Sequence, residues 1–106
     1  MPTDAPADAH QEAQEALAAL DRALARKPDK DDDDFTASIK HLSRCRDALT
    51  AWFRSAGTDE THEVRARLTR VNAILSTVMA GHFPLGPIPW PEIELARQHL
   101  AEIAAA

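Results

Sequence analysis

Apolar residues recur at helical spacing in four stretches of the chain, and a helix-interrupting residue closes each of the first three. The first runs from about Ala7 to Lys27, with Ala13, Ala16, Leu17, Leu20 and Leu24 on one stripe. That stripe is narrow and rich in alanine, so it is expected to cover a core thinly. Pro28 ends it, because proline cannot continue a helix and restrains the residue before it. The second stretch spans about Phe35 to Ala56, with Gly57 as its stop. Phe35, Ile39, Leu42, Leu49, Phe53 and Ala56 follow a four-three repeat in which Arg46 occupies one seam position. Cys45, Ala48 and Trp52 widen the stripe on one flank.

The third stretch opens near Thr58, where a threonine or aspartate cap is followed by acids in the first turn. It reaches Ala80, with Gly81 as the predicted stop. Val64, Leu68, Val71, Leu75 and Val78 keep an unbroken four-three repeat, flanked by Ile74 and Met79. This is the most apolar helix and the predicted spine of the core. The fourth opens with Pro91, whose missing N–H costs nothing in a first helical turn, and presents Ile93, Ala96, Leu100 and Ile103.

The connections differ in character. Residues 28–34 form an acidic linker in which Asp34 is the candidate N-cap of the second helix. Residues 81–90 form a proline-rich loop that is apolar almost throughout. The expected fold is all-α: a small antiparallel up-down helical bundle, with four helices or three plus a terminal helix after the apolar loop. A length of 106 residues gives one domain over 1–106, frayed at residues 1–6. Few β-branched residues, no tyrosine and a single cysteine exclude a sandwich, a barrel and a disulfide-stapled scaffold.

Charge narrows the possible partners. The net charge is −5, but it is uneven: residues 1–34 hold ten acids against four bases, and residues 35–70 hold seven bases against four acids. An acidic chain lacks the basic footprint of a general nucleic-acid binder. Arg44, Arg54, Arg65, Arg67 and Arg70 cluster on the second and third helices without interleaved aromatics, and read as a compensated, solvated face. The longest apolar-rich stretch, Val71 to Ala80, is interrupted by Asn72, Ser76 and Thr77 and is too short to cross a bilayer. The first residues lack the pattern of a secretory signal, so the expected location is cytoplasmic.

No constellation for catalysis stands out. Asp29, Asp31 and Asp33 match the first oxygen positions of an EF-hand loop, but Asp34 stands where glycine is required and Lys40 where glutamate is required. His41 and Cys45 lie four apart and would begin a zinc site or a nucleophile–base pair. Nothing nominates the further ligands, the orienting group or the oxyanion hole. The expectation is therefore no enzyme, no cofactor and no resident metal.

Two features invite a partner. Arg46 on an apolar seam has three outcomes: a snorkelling head, an ion pair with a neighbouring helix, or a counter-ion from a partner. Snorkelling is the most frequent of them. Asn72, beside the spine of the third helix, poses a similar choice. In the loop, Phe83, Leu85, Ile88 and Trp90 lie among Pro84, Pro87, Pro89 and Pro91. Their side chains must face either the bundle, as a cap, or a partner, as a preorganised apolar surface. Ile88 or Leu85 is expected to turn inward, with at least one aromatic left exposed.

The candidate partner-binding residues are thus Phe83, Leu85, Ile88, Trp90 and Arg46. The expected function is a non-enzymatic protein-protein interaction module: an adaptor, a regulator or a secretion-type chaperone. Its partner is another protein or a second copy, and neither nucleic acid nor membrane. The alternative is a binder of a small apolar ligand, with a pocket between the second and third helices lined by Trp52, Phe53, Met79 and Phe83 and roofed by the loop.

Overall fold

A computed structural model describes residues 5–28, 32–57, 61–82 and 86–105. They form four helices: α1 (Ala5–Arg26), α2 (Asp33–Ser55), α3 (Thr61–His82) and α4 (Trp90–Ala105). The fold is the all-α bundle that the hydrophobic pattern predicts. Each helix packs on the next and α4 returns to α1, and the diagonal pair α2–α4 meets at one end of the bundle through the rings of Phe35 and Trp90. Cross-helix contacts set an antiparallel course. Ala9 and Glu12 of α1 meet Cys45 and His41 of α2, and Arg22 meets Asp34. Arg70 of α3 meets Glu102 of α4, and Asp21 of α1 meets Arg97 of α4. The resulting rod is 44 Å long and 23 by 21 Å across.

The alanine-rich α1 covers its side of the core closely, not thinly. Ala9, Ala13, Ala16, Ala19 and Ala23 are buried beside Leu20, and the α1–α2 seam is the most extensive in the bundle. The physical reason is size. A helix face of methyl groups lets two backbones approach, so the seam fills with main-chain atoms where a leucine face would fill it with side chains. The Cys45 Sγ–H reaches the carbonyl of Ala9 at 3.3 Å, which requires that close approach.

This pull toward α1 also moves the seam of α2. The buried line is Phe35, Ser38, Leu42, Cys45 and Leu49, still in steps of three and four. Ile39, Arg46 and Phe53, read from the sequence as seam positions, lie one residue to the side. Arg46 is therefore not an interruption of the core, because Cys45 takes its place. Ser38 holds the other polar place in the seam by donating its hydroxyl to the Phe35 carbonyl at 2.6 Å, which satisfies a fully buried oxygen.

In α3, Val64, Val71, Ile74, Leu75 and Val78 are buried, while Leu68 is only partly buried and packs at the margin of the core. Gly81 does not stop this helix. It lies inside α3, buried, where a Cβ would sit 2.7 Å from Cζ of Phe35 and 3.0 Å from Cδ1 of Ile93. Its role is contact: α2, α4 and the segment before α4 converge on a backbone with no side chain in the way. The stop at Gly57 falls two residues past the end of α2, in a segment that leaves the helix through an extended Ala56.

The N-cap of α2 is Asp32, not Asp34. Its carboxylate accepts the N–H of Phe35 at 2.9 Å. The acidic linker is accordingly more than a solvated tether. Arg26 binds both Asp32 and Asp34, and Arg22 binds Asp34 at 2.9 Å, tying the end of α1 to the start of α2. These arginines hold the Asp34 carboxyl below the usual carboxylate range. Asp29 and Asp31 lie outside the described residues. Ahead of this box, Lys27 takes a left-handed conformation, φ 44°, and donates its N–H to the Ala23 carbonyl at 2.8 Å. The chain thereby leaves α1 through a left-handed turn at Lys27, directly before Pro28.

Candidate functional site

The candidate residues of the proline-rich loop divide. Phe83 and Leu85 lie outside the described residues. Ile88 is buried against Gly81. Trp90 is partly buried and meets the edge of Phe35 with ring centroids 5.8 Å apart and planes at 83°, the favoured T-shaped geometry. Together with Ile93 they close one end of the bundle, as a core-capping loop does. The turn into α4 is tight: the Trp90 N–H binds the Ile88 carbonyl, and the Ile93 N–H binds that of Pro89.

Arg46 snorkels. Its side chain is 42% exposed, and among the described residues its guanidinium pairs with the neighbouring Asp47 alone, at 3.6 Å. It lines a groove between α2 and α3 with Ser43, Asn72, Leu75, Ser76 and Met79, so the two polar residues singled out in the sequence face one groove from opposite walls. That groove mixes four polar side chains with Leu75 and Met79, and Trp52 and Phe53 do not line it. Trp52 lies at the other end of the rod, under the guanidinium of Arg67, whose Cζ is 5.5 Å from the ring centroid. Twelve residues of α3 separate Arg67 from Met79, about 18 Å along the axis, so Trp52 and Met79 cannot line one small pocket.

The His41–Cys45 pair is also resolved. The His41 ring nitrogen Nδ1 lies 2.6 Å from a carboxylate oxygen of Glu12 on α1. The Cys45 thiol is buried, and burial, with a smaller contribution from Glu12, pushes it up to about 11. Such a thiol is a poor nucleophile at neutral pH. Among the described residues no group of three or more histidines, cysteines and acids is placed to hold a metal ion, and no helix is long and apolar enough to cross a membrane.

The surface with the strongest apolar character was not singled out in the sequence. Between α3 and α4 runs an open groove of about 350 Å³, with Ala73, Ile74 and Ala96 on its floor. Leu95 stands on its wall at 56% exposure; among the described residues Phe53, at 39%, is the other exposed large apolar side chain. Arg70, Thr77, Glu92 and His99 form the rim. Arg70 is paired with Glu102 across the groove. A sequence signal existed: Leu95 is out of phase with the buried line Ile93, Ala96, Leu100 and Ile103, one apolar residue set among Glu92, Glu94, Gln98 and His99.

The other grooves offer less. The one between α1 and α4, of similar volume, is lined by Leu17, Ala18, Ala101, Ala104 and Ala105, and Asp21 at its side holds Arg97 at 2.7 Å. No protein-family model matches the chain, and no curated protein or solved structure matches it either.

Proposed function

We propose that this chain is a non-enzymatic interaction module that docks an amphipathic helix of another polypeptide on the α3–α4 face. The observation that carries the reading is Leu95, a leucine held in water beside a floor of alanine and isoleucine. Isolated exposed leucines are ordinary; one that walls an apolar groove with a polar rim has the anatomy of a helix-docking site. The small residues Ala73 and Ala96 let an incoming helix approach closely, and the rim supplies orientation. The described part of the proline-rich loop serves as a rigid cap that fixes the start of α4, and so the position of Leu95. A small apolar ligand is the weaker reading, because the groove is open along its length and does not enclose a ligand.

A photoreactive amino acid at position 95 tests the proposal in living cells, with position 40, on exposed α2 surface, as the control. A discrete cross-linked polypeptide from position 95 alone, lost when Ala73→Glu is added, is the expected result. Equal products from both positions, or none from position 95, would remove the proposal.

A further inference from the structure

We infer that the helix docked on this face is α4 of a second copy of the chain, packed antiparallel about a two-fold axis between Leu95 and Ala96. This rests on the reading of the α3–α4 face as a docking site. The argument is charge and symmetry. Glu92, Leu95, His99 and Glu102 step along α4 by three, four and three, and all four are exposed. Glu102 is already engaged by Arg70, and Glu94, beside the line, by Lys27. Glu92 and His99 have no hydrogen-bond or ion-pair partner among the described residues. They lie two helical turns apart, about 10.5 Å, with Leu95 near the middle.

A two-fold axis perpendicular to α4 at that midpoint exchanges the two ends of the line. Glu92 of one copy then faces His99 of the other, twice over, and the two Leu95 side chains meet at the centre. The contact is isologous, so it closes as a dimer and stops. A parallel arrangement would set Glu92 on Glu92 and is disfavoured. The same operation brings α3 to α3 near Thr77, which the pairings Arg70–Glu102 and Gly81–Ile93 set level with the axis. Each copy thereby covers the exposed α4 face of the other with its own.

Sedimentation equilibrium of the full chain over a wide concentration range tests the inference. A monomer–dimer equilibrium is expected, and Leu95→Glu should weaken it about a hundredfold or more, because it sets two carboxylates together at the centre. Glu92→Lys and His99→Glu each place like or mismatched charges at two symmetric positions, and each should weaken the dimer about tenfold. The double variant Glu92→Lys/His99→Glu restores opposite signs across the axis and should return to within a few-fold of the parent. All three positions are exposed, and circular dichroism checks the fold; if Leu95→Glu loses helix, Leu95→Ser carries the same test. A chain that stays monomeric, a dimer indifferent to position 95, or a double variant weaker than either single one overturns the inference. A monomer that still cross-links another polypeptide from position 95 overturns the two-fold dimer while leaving the docking site standing.

Discussion

The α1–α2 seam and the α3–α4 seam join antiparallel helices of the same bundle, yet one is closed and the other gapes. In the first, alanines on α1 bring the backbones together, and the polar groups that remain are matched across it: Glu12 with His41, Cys45 with the Ala9 carbonyl, Arg22 and Arg26 with the aspartates of α2. In the second, Ala73 and Ala96 leave a trough, and Leu95 stands out of it. Small residues are found on both. They close a seam when the opposite helix presents its own buried line to them, and they open a groove when the large residue beside them points outward. Composition alone does not distinguish the two cases, but phase does.

The sharpest way to break this contrast is to truncate a leucine on each side. Leu42→Ala in the closed seam should cost about 2–5 kcal/mol, because the side chain is fully buried and its neighbours cannot collapse into the space. Leu95→Ala should change the stability of dilute protein by no more than about 0.5 kcal/mol. Urea unfolding of both variants decides the matter, and equal losses would show that the α3–α4 groove is filled. A smaller effect comes from enlargement. Ala16→Leu should destabilise by about 1–3 kcal/mol through overpacking. Ala73→Leu adds its methyl groups to an open trough and should be within about 0.5 kcal/mol of the parent in thermal unfolding of dilute protein. A tolerated Ala16→Leu would mean that the α1–α2 backbones are not in close approach.

The smallest effect is electrostatic and belongs to the closed seam alone. The Cys45 thiol titrates at about 11 in the folded chain and near an ordinary thiol value of about 8.5 when unfolded. Its folded pKa is raised, so the contribution is fully present below about 8.5 and fades as pH climbs toward 11. One pH unit above the unfolded value, the loss is on the order of 1 kcal/mol. Urea midpoints measured from neutral to alkaline pH should fall for the parent and stay flatter for Cys45→Ala. Identical slopes would show that the thiol is solvated.

Much of the fold was legible in the sequence because helix punctuation is local. Pro28, the acidic run and Pro91 mark real boundaries, and the four helices appear where the spacing puts them. What escaped depends on neighbours. The seam of α2 turns on how near α1 comes, so Ile39 and Arg46 read as core while Ser38 and Cys45 hold that place. Gly81 reads as a stop because glycine usually ends helices, whereas here it yields space to Phe35 and Ile93, residues 46 and 12 positions away. Asp34 looked like the cap, but its carboxylate is drawn to Arg22 and Arg26, and Asp32 caps instead. Of the candidate site, Ile88, Trp90 and Arg46 have readable positions: Ile88 and Trp90 pack at the end of the core, and Arg46 turns its head to solvent. The α3–α4 face is less legible because its one signal in the sequence is the phase of Leu95 against the buried line of α4.

The closure of α4 onto α1 bears on how the chain folds. Three of the four seams join helices adjacent in sequence, whereas Asp21 and Arg97 are 76 positions apart. The first three seams can form with short loops to close, and such local contacts assemble quickly. Docking α4 on α1 closes a far longer loop and gains a much smaller seam than α1–α2 in return. The helical hairpin α1–α2 is therefore the natural nucleus, and α4 the element that arrives last and opens first. In native-state hydrogen exchange, the amides of α4 should exchange through partial openings that leave Leu20 and Leu42 enclosed. The helix that carries Leu95 is then the one held least firmly by its own chain.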